Sequence, residues 1–209
     1  MTADLSIGPY PHLIFTVDAP LVPQFFLLLQ QGVKIRRRVG CSVDVFLRQE
    51  MGASAEMIEK IQSIILEGKP VDDISSALIH NGSILALSAA MPGLVGATLR
   101  RGGAYSSFRS AITYHETERA CAAGEGWVGI KLFNLLMAEL GPDLLRNGVL
   151  VTAQVLSDFL SERYSDIRPG CRRITLDGKP IDISMVARGA SLGGKDEVFL
   201  TVEVGTINT

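Results

Sequence analysis

The sequence predicts an α+β protein made of two tandem modules that arose by internal duplication, with an intervening helix. The main observation is a decapeptide that occurs twice, as IILEGKPVDD at residues 64–73 and as ITLDGKPIDI at 174–183, with six of ten positions identical. A shorter match precedes both copies, because Gln31-Gly32-Val33 corresponds to Asn147-Gly148-Val149. Matches in the same order at a nearly constant offset indicate a repeated structural unit.

Each copy starts with a strand that leads into a helix. Val33–Arg38 predicts the strand of copy one, and the shorter Val149–Val151 predicts that of copy two. Apolar residues then recur at helical spacing over 43–52 and 153–164. Ser42 and Thr152 are the predicted N-caps, because a hydroxyl can accept from a free amide in the first helical turn. Gly52 is expected to end the first helix.

A tight hairpin follows each helix. Glu67-Gly68 and Asp177-Gly178 separate short β-rich runs, and an acidic residue before glycine favours a two-residue turn in which both residues have positive φ. Pro70 and Pro180 lack an amide proton, so the strand after each turn is expected at a sheet edge. The last strands, taken as equivalent in the two copies, are Ile84–Ser88 and Glu197–Val204.

The rest of the chain predicts two packing helices and a loop. Leu21–Gln30 and Trp127–Leu140 have helical apolar spacing, with Gly141-Pro142 ending the second helix. Residues 103–126 are rich in small and polar residues and predict a loop. We therefore expect a first module at 1–103, a linker at 104–126 and a second module at 127–209.

The predicted order of elements is that of the later part of a β-grasp fold: helix, strand, tight turn, short strand, loop and strand. The run IILEGKPVDDISSALIHNGSILALSAAMPG resembles the C-terminal half of the ubiquitin-like sulfur carriers, such as the small subunit of molybdopterin synthase. The resemblance implies two β-grasp modules. Sulfur carriers end in Gly-Gly, whereas this sequence ends in Gly205-Thr206-Ile207-Asn208-Thr209. An internal Leu99-Arg100-Arg101-Gly102-Gly103 resembles a ubiquitin tail, although Gly-Gly is ordinarily part of a loop.

Composition excludes several classes of protein. Twenty Lys and Arg against 22 Asp and Glu leave a net charge of −2, which gives no basic field for nucleic acid. No apolar run reaches the 18 or so residues of a membrane helix, and three cysteines without metal-ligand spacing favour a reduced, cytoplasmic location. A mean hydropathy of +0.27 suggests apolar surface buried against another subunit, and we expect a homo-oligomer or a protein partner.

The segment Met91–Arg109 is the best candidate for binding a small anion such as phosphate or carboxylate. Guanidinium groups and glycine amides hold such groups, and this segment contains both. The alternative is a solvated loop between modules. The predicted ligand-binding residues are Arg100, Arg101, Gly102, Gly103 and Arg109.

Other motifs have structural explanations. Residues 189–196 match GxxxxGK but place Asp196 where a phosphate-binding loop needs Ser or Thr, and they lead into a strand, so we interpret them as a turn. Cys121 lies six residues after His115 and near Glu116, which is compatible with a nucleophile but is more typical of an ordinary thiol. We predict no catalytic residue, metal site or cofactor.

The sequence therefore favours a non-catalytic cytoplasmic binding or scaffolding protein. The rival hypothesis is an enzyme or small-anion-binding protein whose pocket lies at the module junction near Gly93–Arg109. Fold class does not decide between the two hypotheses.

Overall fold

A computed structural model describes residues 9–109, 111–116, 123–187 and 196–205. It is a mixed α+β structure, as predicted. The strands are β1 (His12–Val17), β2 (Val33–Val39), β3 (Cys41–Ser42), β4 (Ser63–Leu66), β5 (Lys69–Pro70), β6 (Leu78–Ile79), β7 (Ile84–Ser88), β8 (Gly124–Phe133), β9 (Val149–Thr152), β10 (Cys171–Leu176), β11 (Lys179–Pro180) and β12 (Glu197–Val204). The α-helices are α1 (Phe26–Gln31), α2 (Val43–Val45), α3 (Ala55–Lys60), α4 (Gly93–Leu99), α5 (Leu135–Asn147), α6 (Ala153–Ile167) and α7 (Ile183–Ala187). Short 3-10 helices cover Ala19–Phe25, Ser106–Arg109 and Arg168–Gly170, and a π-helical turn covers Phe46–Glu50.

The chain divides into two compact units, and neither has the boundaries predicted for the modules. The continuous unit is Leu29–Gly141, and the discontinuous unit consists of the described residues of Met1–Leu28 and Pro142–Thr209. Residues 124–126 of the predicted linker belong to strand β8. The predicted first module, 1–103, contributes β1 to the discontinuous unit.

Five strands of the continuous unit pair in the order β5-β4-β7-β8-β2. The central pair, β7 and β8, is parallel, and the other pairs in this order are antiparallel. One face of these strands forms the core, because Ile64, Leu66, Leu85, Leu87 and Leu132 have no solvent exposure. Strands β3 and β6 form a separate two-stranded sheet.

The discontinuous unit has the same sequence of strand directions, in the order β11-β10-β1-β12-β9. Its central pair, β1 and β12, is parallel, and the flanking pairs are antiparallel. Phe15 of β1 is fully buried, and its ring lies 5.4 Å from that of Phe25, between centroids. Phe25 in turn lies 5.5 Å from Phe159 of α6, so aromatic contacts join strand and helices in this core.

The two predicted hairpins are confirmed. Strands β4 and β5 pair antiparallel around Glu67-Gly68, as β10 and β11 do around Asp177-Gly178. The φ angles of the turn residues are 51° and 75° in the first hairpin and 49° and 77° in the second. Positive φ at both residues is the feature that the acidic-glycine pairs predicted. Both β5 and β11 stand last in their unit's strand order.

The predicted helix caps are also confirmed. Ser42 Oγ accepts a hydrogen bond from the Val45 amide at 3.3 Å, and Thr152 Oγ1 accepts one from the Val155 amide at 3.2 Å. Gly52, with φ of +70°, follows the end of the first helical segment. Helix α6 continues to Ile167, three residues beyond the predicted end.

The helix predicted at Trp127–Leu140 is present only from Leu135, and its first part is a strand. Residues up to Phe133 belong to β8, and α5 begins at Leu135 and continues through Pro142 to Asn147. The buried side chains of β8 follow a period of two, with Val128, Ile130 and Leu132 on the core face. An alternation of this kind predicts a strand, and the apolar residues of the following helix concealed it.

The prediction that the last strands of the two copies, β7 and β12, are equivalent is also wrong, because they occupy different positions in their sheets. Strand β7 pairs with hairpin strand β4, whereas β12 pairs with β1 and β9. The neighbour of hairpin strand β10 is β1, for which no strand was predicted. Its signal is present in the sequence, because Leu13, Phe15 and Val17 alternate with more exposed residues.

Candidate functional site

A cavity of about 240 Å³ lies in the continuous unit at the carboxyl ends of the parallel strands β7 and β8. The carboxyl ends of parallel strands meet at one edge of a sheet, which is where many α/β proteins bind ligands. Its lining residues come from β4, β7, β8 and the turns that follow them: Ser63, Ile65, Ala86, Leu87, Ser88, Ala90, Met91, Pro92, Phe133 and Asn134.

Strand register explains why five of these residues line one cavity. Ser63 is paired with Ser88 and Ile65 with Ala86, and Ser88 is also paired with Phe133 on β8. Directly paired residues project to the same side of a sheet, so all five lie on one face. The fully buried leucine and isoleucine side chains of the same strands lie on the opposite face.

The polar groups of the cavity differ in how they are satisfied. Ser88 Oγ donates to the Ala90 carbonyl at 3.1 Å and accepts from Asn134 Nδ2 at 3.2 Å. Asn134, with φ of 59°, also donates to the Ala90 carbonyl. By contrast, Ser63 is 1% exposed, and its Oγ has no hydrogen-bond partner among the described residues.

A buried hydroxyl without a partner is costly, by about 1–3 kcal/mol. A ligand with a hydrogen-bonding group could remove that cost while its apolar part contacts Ile65, Met91 and Phe133. The arrangement therefore suits a small molecule with an apolar body and one hydroxyl, carbonyl or amide group. The lining contains no charged side chain.

The predicted anion-binding residues are brought together around an internal carboxylate. Arg109 is 5% exposed and donates from Nη2 to Asp72 Oδ1 at 2.6 Å and to the Arg100 carbonyl at 3.1 Å. Its Nη1 donates to Thr113 Oγ1 at 3.2 Å. Asp72 thus occupies the role that an external anion would take at Arg109.

The other predicted residues also contact the protein. The Arg101 guanidinium donates to the Ile58 carbonyl at 3.2 Å, and the Gly102 amide donates to Asp72 at 3.2 Å. The Gly103 amide donates to the Arg100 carbonyl at 3.1 Å. Part of the segment is helix α4 rather than loop. Anion binding by these residues stays a prediction, and an external anion would compete with Asp72 for Arg109.

The acidic group predicted near Cys121 has a different partner. Glu116 accepts from the Leu78 amide at 2.9 Å, from Tyr114 at 3.0 Å and lies 3.1 Å from His80 Nε2. Burial acts to raise the pKa of Glu116, but these hydrogen bonds outweigh it and hold the pKa below its ordinary value. They attach residues 114–116 to strand β6. Cys121 and residues 189–195 of the glycine-rich motif lie outside the described residues.

Sequence reasoning missed Ser63, Ser88 and Asn134. Serine within an apolar strand and asparagine directly after one are weak signals individually. They become a site only because β4 and β8, far apart in sequence, both pair with β7.

No family model, curated protein or solved structure matches the chain. In the part of the chain that is described, no helix is long and apolar enough to cross a membrane. The same residues contain no group of three or more His, Cys, Asp or Glu that could hold a metal ion.

Proposed function

We propose that this protein binds a small, mainly apolar molecule with one hydrogen-bonding group in the cavity of the continuous unit. The observation that carries the proposal is the unpartnered Oγ of buried Ser63 in a mainly apolar lining whose other polar side chains, Ser88 and Asn134, already have hydrogen-bond partners. This is a binding function, and no step of catalysis is assigned to it.

A matched pair of probes tests the proposal. Toluene and p-cresol share an apolar body, but only p-cresol has a hydroxyl that can pair with Ser63. Titration of the ¹⁵N-labelled protein, followed by NMR, should shift the amides of Ala86 and Ser88, with p-cresol binding roughly fivefold more tightly. In Ser63→Ala the two probes should bind equally.

Stability measurements provide the control for folding. Ser63→Ala removes an unsatisfied hydroxyl and should raise the free energy of unfolding by about 1 kcal/mol, whereas Ser88→Ala breaks two hydrogen bonds and should lower it by about 1–2 kcal/mol. Ala86→Leu should fill the cavity and abolish binding, and Ala138→Leu on the exposed side of α5 should not. Absence of binding at these amides, or a p-cresol preference that survives in Ser63→Ala, would refute the proposal.

We also propose that the protein acts in the cytoplasm and self-associates. The support for association is a set of exposed apolar side chains close together in sequence, Leu94, Val95, Phe108 and Ile112, of which Phe108 is 85% exposed. Light scattering should give a mass of at least twice 22.5 kDa for the wild type and a lower mass for Leu94→Ser/Phe108→Ser. A wild-type monomer would contradict the proposal.

We further propose that the units are β-grasp-like modules from one duplicated ancestor. The shared order of strand directions and the matching hairpins support this proposal. An experimental structure in which the backbones around Gly68 and Gly178 fail to superimpose would contradict it.

A further inference from the structure

The discontinuous unit has a polar groove of about 550 Å³ beside strand β10. One side of the groove is formed by the 3-10 helix Arg168–Gly170 and the start of β10. The other side is formed by Pro180 and the residues that follow β11. The lining residues are Arg168, Pro169, Cys171, Arg172, Arg173, Ile174, Pro180, Ile181, Asp182 and Ile183. Three arginines thus face one aspartate in the lining.

A β-bulge explains why two consecutive arginines reach the same groove. Thr16 is paired with Arg173, but the next residue of β1, Val17, is paired with Cys171, so Arg172 has no partner in the ladder. Such a bulge interrupts the alternation of side chains and redirects them. Arg172 and Arg173 are both exposed, whereas Ile174 is buried.

The three guanidinium groups differ in their partners. Arg172 forms two hydrogen bonds with the Asp18 carboxylate, at 2.7 and 2.8 Å, and is thereby held in place. The side chains of Arg168 and Arg173 make no hydrogen bond or ion pair with another described residue. Asp182 accepts from the Ser184 amide at 2.8 Å. Burial raises the pKa of Cys171, so this thiol adds no negative charge.

The arginines of strand β2, in the continuous unit, differ in this respect. Arg36 pairs with Glu125 at 2.8 Å, and Arg37 Nε donates to the Glu50 carbonyl at 3.0 Å. Those arginines have protein partners, whereas Arg168 and Arg173 leave donors available in a concave surface.

We propose that this groove binds the phosphate group of a small phosphate monoester through Arg168 and Arg173. Arginine suits phosphate because its planar donors match two phosphate oxygens. The charge of Arg172 is offset by the Asp18 carboxylate, so Arg168 and Arg173 are the arginines of the groove whose charge is available to an anion. The groove has room for the remainder of a small ester beside Pro180 and Ile181. This site shares no residue with the cavity of the continuous unit, so either proposal can fail alone.

The test uses the full-length protein with inorganic phosphate and phenyl phosphate as probes. NMR titration at constant ionic strength should shift the amides of Arg172, Arg173 and Ile174 with saturation. Arg168→Gln and Arg173→Gln should each weaken binding roughly tenfold, and the double variant should abolish it. Arg163→Gln, on α6 outside the groove lining, is the matched control and should bind normally.

Three results would overturn the proposal. These are equal shifts with chloride at the same ionic strength, undiminished binding in the double variant, and equal loss of binding in Arg163→Gln. Unchanged amide positions elsewhere in each variant would show that the variants are folded, so that lost binding reports on the groove itself.

Discussion

The two units have the same order of strand directions, but different parts of the chain supply their central strands. In the continuous unit the strand beside the hairpin is β7, which follows the hairpin directly in sequence. In the discontinuous unit it is β1, from the other end of the chain. The strand that stands beside each hairpin is therefore set by strand pairing and does not follow from the order of strands in the sequence.

The cavity of the continuous unit and the groove of the discontinuous unit also differ in the charge of the residues that line them. In the continuous unit, β4, β7 and β8 leave a cavity without charged groups at their ends. In the discontinuous unit, the bulge between β1 and β10 places arginines along a groove. One strand arrangement thus carries an uncharged cavity in one unit and an arginine-lined groove in the other. Four stability predictions compare the two units at matched positions.

The largest effect is expected where β1 supplies the core. Phe15→Ala should lower the free energy of unfolding by about 3–5 kcal/mol, because a fully buried ring is lost. Leu87→Ala, at the corresponding strand of the continuous unit, should cost about 2–5 kcal/mol. Hydrogen exchange in Phe15→Ala should quicken in β10 and β12. A cost under about 1 kcal/mol would contradict the placement of β1.

The next largest effect on stability is expected at two glycines in matched positions, Gly32 before β2 and Gly148 before β9. Gly148, with φ of +89°, would place a Cβ 2.3 Å from the ring of Phe199, whereas Gly32, with φ of +117°, would place one 3.0 Å from the Lys131 side chain. Lys131 is flexible and can move, but the Phe199 ring is buried. Gly148→Ala should therefore cost about 3 kcal/mol or more and Gly32→Ala about 1–2 kcal/mol, measured by denaturant unfolding. Equal costs would show that the ring moves freely.

The aspartate that occurs at the same position in both decapeptides should contribute unequally to the stability of the two units. Asp72→Ala leaves the buried Arg109 guanidinium without its carboxylate and should cost about 2 kcal/mol, a value reduced because Asp72 is 31% exposed. Asp182, the same residue of the second decapeptide, bonds the Ser184 amide, and Asp182→Ala should cost about 0.5–1 kcal/mol. Thermal unfolding of both variants measures the difference. A reversed order would contradict the structural role assigned to Arg109.

The smallest effect is expected in the pH dependence of the free energy of unfolding. Burial lowers the pKa of His12 below its ordinary 6.5, although Asp177 and Glu203 oppose this effect. The unfolded state then binds the proton more readily, so stability should decrease as pH falls through 6.5. His12→Gln should flatten the unfolding free energy between pH 7 and about pH 5.

Glu116 provides the comparison in the continuous unit. Its pKa lies below the ordinary 4.5, so the stability that it contributes is present above that pH and is lost only as pH falls further. Glu116→Gln should therefore lower the free energy of unfolding at neutral pH and remove its dependence on pH only in the acid range. A wild-type slope retained in His12→Gln would contradict the assignment to His12.

Features that depend on a few adjacent residues were predicted well. Glu67-Gly68 and Asp177-Gly178 form the expected turns, and Ser42 and Thr152 cap the expected helices. Features that depend on distant partners were not. Trp127–Phe133 was assigned to a helix, and His12–Val17 was not recognised as a strand. For the site, none of the three key polar residues of the cavity was predicted.

The sequence alone determined the α+β class, the hairpins and the caps, because each depends on φ preferences and hydrogen bonds within a few residues. Only the tertiary structure decided which strand stands beside each hairpin, that Asp72 pairs with Arg109, and that Ser63 lines a cavity. The physical reason is distance along the chain. His12 and Asp177, for example, contact each other across 165 residues, and no local pattern encodes such a contact.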